Sequence, residues 1–213
     1  SPDIDGVTDE TAREIVGIAA GLFVPDIDTD TIVPIEYCIN RERPNFDVGL
    51  FRSWRYHDDG MERREFVLNQ PAFRGARILI AGPNFGCGSS REMAVWALVD
   101  FGIRCVIAPS FGEIFYNNCF QNKLLAARVT SRTAASLSGL IEQSIGLSLT
   151  IDLTRNEIYA GADHFDFELD GLRSDMLLKG LEPIAATLTK IEEITAFEER
   201  DRELRPWISQ AWF

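Results

Sequence analysis

The chain has 213 residues, 46% hydrophobic, 25% charged and 10% aromatic, a composition that suits a packed globular protein and excludes disordered, collagen-like and disulfide-scaffold classes. At roughly 150 residues per domain, one large domain is the expectation for residues 1–213. Lysine and arginine number 21 against 33 aspartate and glutamate, and the resulting net charge of −12 argues against a nucleic-acid partner, whose phosphates most of the surface would repel.

The apolar runs break far short of the roughly 20 residues needed to cross a bilayer, so no membrane span is expected. The acidic start Ser1-Pro-Asp-Ile-Asp carries no basic and apolar leader. Cys38, Cys87, Cys105 and Cys119 are scattered without a C-x-x-C pair, which reads as four free thiols in a cytoplasmic protein.

In chain order, a first strand is expected at 15–24, followed by a polar excursion at 40–69 whose aromatics, Phe46, Phe51, Trp54 and Tyr56, would anchor it to the body. Strands at 77–81, 105–109 and 125–129 then alternate with helices at 90–101, 111–121 and 133–144, a rhythm that predicts parallel pairing. Ser89 or Ser90, Ser110, and Ser131 or Thr133 are the candidate helix caps. Three closely spaced strands at 147–153, 157–160 and 164–168, with Asn156 and Gly161 in their connections, predict an antiparallel addition, and helices follow at 171–179 and 191–204. The fold class is α/β, with a mixed, largely parallel sheet flanked by helices.

The chemistry concentrates between Ile78 and Leu98, where an apolar strand enters the turn Gly86-Cys-Gly-Ser-Ser-Arg91 and then a helix. A helix start directs free N–H groups and a positive dipole end at whatever lies in the turn, which suits an anion. Ser89 and Ser90 add hydroxyls, and Arg91 adds a planar fork suited to a carboxylate. A Walker loop is excluded because the three lysines, Lys123, Lys179 and Lys190, lie elsewhere. A dinucleotide fingerprint is disfavoured because Arg91 stands where the third glycine would be. Gly-x-Gly alone would equally suit a plain tight turn with Ser90 as cap; Arg91 beside two serines favours a functional site. Asp28 and Asp30, ahead of Ile32-Val-Pro34, read first as a turn in which a side chain bonds its own backbone.

The stretch Asn84-Phe-Gly-Cys-Gly-Ser-Ser-Arg-Glu92, with Val106-Ile-Ala-Pro-Ser-Phe111, Ile114-Phe-Tyr-Asn-Asn118 and Leu124-Leu125, resembles the small subunit of 3-isopropylmalate dehydratase and, more distantly, the swivelling domain of aconitase. Asp26-Ile-Asp-Thr-Asp-Thr-Ile-Val-Pro34, Gly49-Leu-Phe, Trp54-Arg55, Phe66-Val-Leu-Asn69 and the 180–188 segment extend the resemblance over about residues 16–199. Residues 1–14 and 200–213 match nothing in it.

The resemblance implies a swivelling β/β/α domain that caps a large partner subunit carrying a [4Fe–4S] cluster, this chain holding no metal or cofactor itself. It implies isomerisation of a small dicarboxylic hydroxy-acid, 2-isopropylmalate to 3-isopropylmalate, by dehydration and rehydration in leucine biosynthesis. In that reading Ser89 is the base, Arg91 holds a substrate carboxylate, Gly88 and Ser90 line the site, Asp30 orients the arginine or substrate, and Trp54 and Arg55 touch the substrate's variable side chain. Cys87 reads as a small turn residue, and His57 and His164 as ordinary surface or turn histidines. Two departures leave alternatives open. Met93 stands where most relatives carry histidine, and Tyr37-Cys-Ile-Asn-Arg-Glu-Arg43 replaces a differently lined segment. The alternatives are a related hydro-lyase subunit for another substituted malate or maleate, and a non-catalytic relative that binds a partner.

Overall fold

The computed structural model describes residues 13–39 and 43–181. The expected helix at 191–204, most of the 180–188 segment and residues 40–42 of the polar excursion lie outside the described residues.

Seven strands, β1 (Glu14–Leu22), β2 (Ile78–Ala81), β3 (Cys105–Ala108), β4 (Leu125–Arg128), β5 (Ser148–Asp152), β6 (Glu157–Ala160) and β7 (Asp163–Asp166), form one sheet in the order β4-β3-β2-β1-β5-β6-β7. The ladders divide evenly: β1–β2, β2–β3 and β3–β4 are parallel, while β1–β5, β5–β6 and β6–β7 are antiparallel. Burial follows this division. Every residue of β2 and β3 is buried, as in parallel strands covered on both faces, whereas β5 and β6 alternate buried with partly exposed positions, as in a sheet with one wet face. The two halves join within β1, which pairs through Glu14–Ile18 with β5 and through Ala19–Leu22 with β2. The sheet also curls until its far ends touch: an isolated bridge pairs Arg128, at the end of β4, with Glu168, just after β7, and Glu168 N–H donates to Arg128 O at 2.7 Å.

Six α-helices occur among the described residues: two short ones, α1 (Thr29–Ile32) and α2 (Arg52–Arg55), and four longer ones, α3 (Glu92–Phe101), α4 (Glu113–Gln121), α5 (Ser131–Gln143) and α6 (Gly171–Leu181). α5 buries Ala134, Leu137 and Ile141, the spacing of one helical face. Helix α3 ends at Gly102, whose φ of 114° closes the last turn by donating to Leu98 O and Val99 O. None of the described helices is long and apolar enough to cross a membrane.

The serine caps are corrected by the structure. Helix α3 begins at Glu92 with Arg91 at its cap position and no side-chain capping bond, because Ser89 and Ser90 still belong to the turn. Helix α4 begins at Glu113 after Gly112, and Ser110 Oγ instead accepts the Asn84 N–H at 2.8 Å. Helix α5 is capped by Thr130, whose hydroxyl accepts the Thr133 N–H at 3.1 Å.

The described part of the excursion is pinned by its aromatics and by one carboxylate. Phe46 and Phe51 are buried; Phe46 meets Trp96 of α3 edge-on at 5.3 Å, and Phe51 stacks on Trp54 with Phe66 tilted against both. Asp100, also on α3, accepts from Asn45 N–H, Phe46 N–H and the Arg43 guanidinium. Phe51 N–H donates to Ile32 O at 2.8 Å, which ties the excursion to α1.

Candidate functional site at the glycine-rich turn

The segments that follow β1, β2 and β3 leave the same end of the parallel ladder, the end at which open α/β sheets place their ligands. Residues 83–88 run between the other two segments like an irregular strand. On one side Asp26 N–H donates to Pro83 O, Gly86 N–H to Ile27 O and Thr29 N–H to Cys87 O. On the other, Phe85 N–H donates to Ser110 O and Gly112 N–H to Phe85 O. The turn therefore has most of its backbone fixed before any ligand arrives.

Two local features explain why this sequence makes that path. Pro25-Asp26 and Pro83-Asn84 are matched Pro-Asx pairs after β1 and β2; both Asx residues adopt positive φ, 55° and 60°, and Asn84 Nδ2 donates to Asp26 Oδ1 at 2.7 Å. Gly86, at φ 73°, has no room for a side chain, since a Cβ would lie 2.2 Å from the Phe115 ring.

Gly88, Ser89 and Ser90 follow as an exposed rim, and among the described residues the Ser89 and Ser90 hydroxyls make no hydrogen bond. Ser89 is held through its backbone, where its carbonyl accepts the Thr29 hydroxyl at 3.0 Å. Asp28 Oδ1 accepts the Thr31 N–H at 2.7 Å and caps α1, which is the turn role expected of this acidic pair. Asp30 takes the other role. Its exposed carboxylate pairs with Arg91 Nη1, whose own side chain is only 16% exposed, so the guanidinium two residues after Ser89 is held against the α1 segment. Glu92 and Trp96 fasten the start of α3 to α4, because Asn122 donates to Glu92 Oε1 and accepts from Trp96 Nε1, both at 2.9 Å.

The structure thus unites Gly88, Ser89, Ser90, Arg91 and Asp30. It does not join Arg55 to them; the Arg55 donors are engaged within the excursion instead. Arg55 is buried; its Nε donates to Asn69 Oδ1, its Nη1 to Asp47 O and Leu50 O, and its Nη2 to the Tyr56 hydroxyl. Burial lowers its basicity, yet these acceptors hold the charge inside the excursion. Trp54 is half-buried against Phe51 and Phe66. Met93 is partly buried against the core.

Sequence reasoning missed Thr29, Asn84 and Asn122. The Pro-Asx repeat was a readable signal for Asn84; nothing local marked the other two. The Cys87 thiol lies in the turn, where burial, with Asp28 and Asp26 adding to it, pushes its pKa upward. Cys105 and Cys119 are buried in the core, and burial raises both thiols as well. Among the described residues no group of three His, Cys, Asp or Glu side chains could hold a metal ion, so these residues do not fit an iron–sulfur cluster.

Comparison with known proteins agrees with this geometry. A family model described as the aconitase C-terminal domain matches residues 10–132, more than half of the chain, which places the fold and its turn in the aconitase class. The chain is 48% identical over 193 residues to the 3-isopropylmalate dehydratase small subunit of Nitrobacter hamburgensis and 49% identical to that of Afipia carboxidovorans, covering 90% of this chain and 96% of each relative. A solved structure of 3-isopropylmalate dehydratase from Methanocaldococcus jannaschii superposes with a TM-score of 0.61 at 28% identity, covering 87% of this chain and 99% of that one. The chain belongs to the family of 3-isopropylmalate dehydratase small subunits, hydro-lyase components of the aconitase superfamily.

Proposed function

We propose that this chain is the small subunit of an enzyme that isomerises 2-isopropylmalate to 3-isopropylmalate by dehydration and rehydration, and that it acts only with a large subunit. The observation that carries this reading is the Asp30–Arg91 pair beside the unengaged Ser89 hydroxyl, on a turn whose backbone is already fixed.

Arg91 keeps N–H groups beyond the one bonded to Asp30, and a planar fork can grip a substrate carboxylate through two parallel hydrogen bonds. Ser89 takes the carbon-bound proton. A serine hydroxyl is far too weak an acid to be ionised unaided, so its alkoxide has to be stabilised; the N-terminal amides of α3 and the Arg91 charge are the groups at hand. Gly88, with a φ of 90° and only Asp28 Cβ within 3.4 Å of a would-be Cβ, leaves the approach to Ser89 open, and Ser90 offers a further hydroxyl to the substrate. Trp54 contributes the apolar side of the mouth. The departing hydroxyl requires a Lewis acid, which a [4Fe–4S] cluster on the large subunit supplies when bound. We further propose that the whole chain is one swivelling domain, and that the complex works in the cytoplasm, where its four free cysteines stay reduced.

The test is reconstitution of the full chain with a cluster-bearing large subunit and measurement of turnover on 2-isopropylmalate and on other substituted malates and maleates. Interconversion of the two isopropylmalates supports the assignment. Turnover confined to a different diacid would replace the substrate, and partner binding without turnover of any diacid would replace the enzyme by a non-catalytic relative.

A further inference from the structure

A second polar cavity lies where the two ends of the curled sheet meet, built from residues that the glycine-rich turn does not use. It measures about 390 Å³, within the roughly 300–1,000 Å³ typical of small-ligand pockets, and is lined by Tyr116 of α4, Arg128, the β5–β6 turn residue Asn156, the strip 167–170 and Arg173 of α6.

Part of its polar lining is matched within the fold and part is not. Tyr116 is only 7% exposed, and its hydroxyl makes no hydrogen bond among the described residues. The Arg128 and Arg173 guanidinium carbons each lie 4.8 Å from the centre of the Tyr116 ring. Arg173 is otherwise engaged, with Asp170 and with Asn117 Oδ1. Arg128 is not: among the described residues its guanidinium has no hydrogen bond or ion pair, and its Nε is buried without a partner. Asn156 Oδ1 is likewise buried without a donor, and the Glu168 carboxylate has no cation within ion-pair distance among the described residues. Leaving the buried Arg128 Nε and Asn156 Oδ1 without partners is costly, and a ligand that matches them would recover that cost, while the exposed Glu168 carboxylate stays available to it from the solvent side.

The charges decide what kind of ligand. Once Arg173 and Asp170 are paired, one cation, Arg128, and one carboxylate, Glu168, remain among the described lining residues, so their unmatched charges sum to zero. A bare anion would satisfy Arg128 and face Glu168, whereas a molecule with both signs satisfies both. Burial holds the Tyr116 hydroxyl in its neutral form, a donor for the carboxylate beside Arg128. Phe167 and Leu169 add apolar wall.

We infer that this cavity binds a free zwitterionic α-amino acid with an apolar side chain, its carboxylate on Arg128 and the Tyr116 hydroxyl, its ammonium on Asn156 Oδ1 and Glu168. The inference stands independently of the reaction assigned to the glycine-rich turn.

Calorimetric titration of the full chain with L-phenylalanine tests it, alongside 3-phenylpropanoate, which lacks the ammonium, and 2-phenylethylamine, which lacks the carboxylate. Saturable binding of the amino acid is expected, with each half-ligand at least about tenfold weaker, the scale of one lost charge-assisted contact. Arg128→Gln and Tyr116→Phe should each weaken it, the latter while keeping the ring beside both guanidiniums, and Arg91→Lys should leave it unchanged. Equal affinity for 3-phenylpropanoate would mean a simple anion site and overturn the inference. So would binding that survives Arg128→Gln and Tyr116→Phe in folded protein, binding that falls with Arg91→Lys, or absence of saturable binding in the millimolar range.

Discussion

The glycine-rich turn and the excursion that follows α1 each carry an arginine next to aromatic or hydroxyl neighbours, yet the two arginines have opposite fates. Arg91 bonds one exposed carboxylate from a neighbouring segment and keeps donors for something else. Arg55 is enclosed by two backbone carbonyls, an amide and a phenol, all from the excursion itself. What separates a binding arginine from a structural one is therefore how many of its five N–H groups the fold already satisfies.

That contrast is sharpened by giving both positions the same substitution. Arg91→Lys should lower kcat/KM of the reconstituted enzyme by about 2–4 kcal/mol, roughly 30- to 900-fold, because an ammonium cannot reproduce a two-bond grip, while thermal unfolding barely moves. Arg55→Lys should do the reverse. It strands buried acceptors and should cost about 1–3 kcal/mol of stability in denaturant titration, with kcat/KM per folded molecule nearly unchanged. If Arg55→Lys were instead selectively catalytic, the structural assignment of that residue would fall.

A smaller effect is expected at the thiol inside the turn. Because burial and the neighbouring Asp28 and Asp26 raise the Cys87 pKa, its neutral form persists to higher pH than that of an ordinary thiol. In a Cys38→Ser background, alkylation of Cys87 should thus be slower than that of a free thiol near neutrality and should accelerate only at more alkaline pH. A fast reaction at neutral pH would show that the turn stabilises a thiolate instead.

The strands were legible in the sequence because most are short apolar runs bounded by Gly, Pro, Asn or Asp, and because three close runs without room for a helix can only pair antiparallel; β7, Asp163-His-Phe-Asp166, is the least apolar and starts one residue before the expected strand. Helix starts were less legible. Serines are good caps in general, but Ser110 binds Asn84 across the site, and Thr130 serves where Ser131 and Thr133 were expected. Helices α1 and α2, at four residues each, are too short to show any periodicity. Within the site, the turn itself was visible as Gly-Cys-Gly-Ser-Ser-Arg. The Asp30–Arg91 pair joins positions 61 residues apart and has no local signature; the family resemblance supplied it. The saturation of Arg55 was invisible, since two of its acceptors are backbone carbonyls that no residue type announces.

The central claim is that the turn's chemistry resides in the Ser89 hydroxyl, while the surrounding backbone and Arg91 only position and bind. Ser89→Ala leaves its own carbonyl to accept from Thr29 and leaves Arg91 paired with Asp30. The decisive measurement follows, in one reconstituted preparation, turnover and exchange of the substrate's carbon-bound proton with solvent, with unfolding temperature and partner binding as controls. The account predicts intact folding and association, a fall in kcat of at least about 100-fold and loss of exchange. Turnover and exchange near the unsubstituted level in the folded, assembled variant would contradict it.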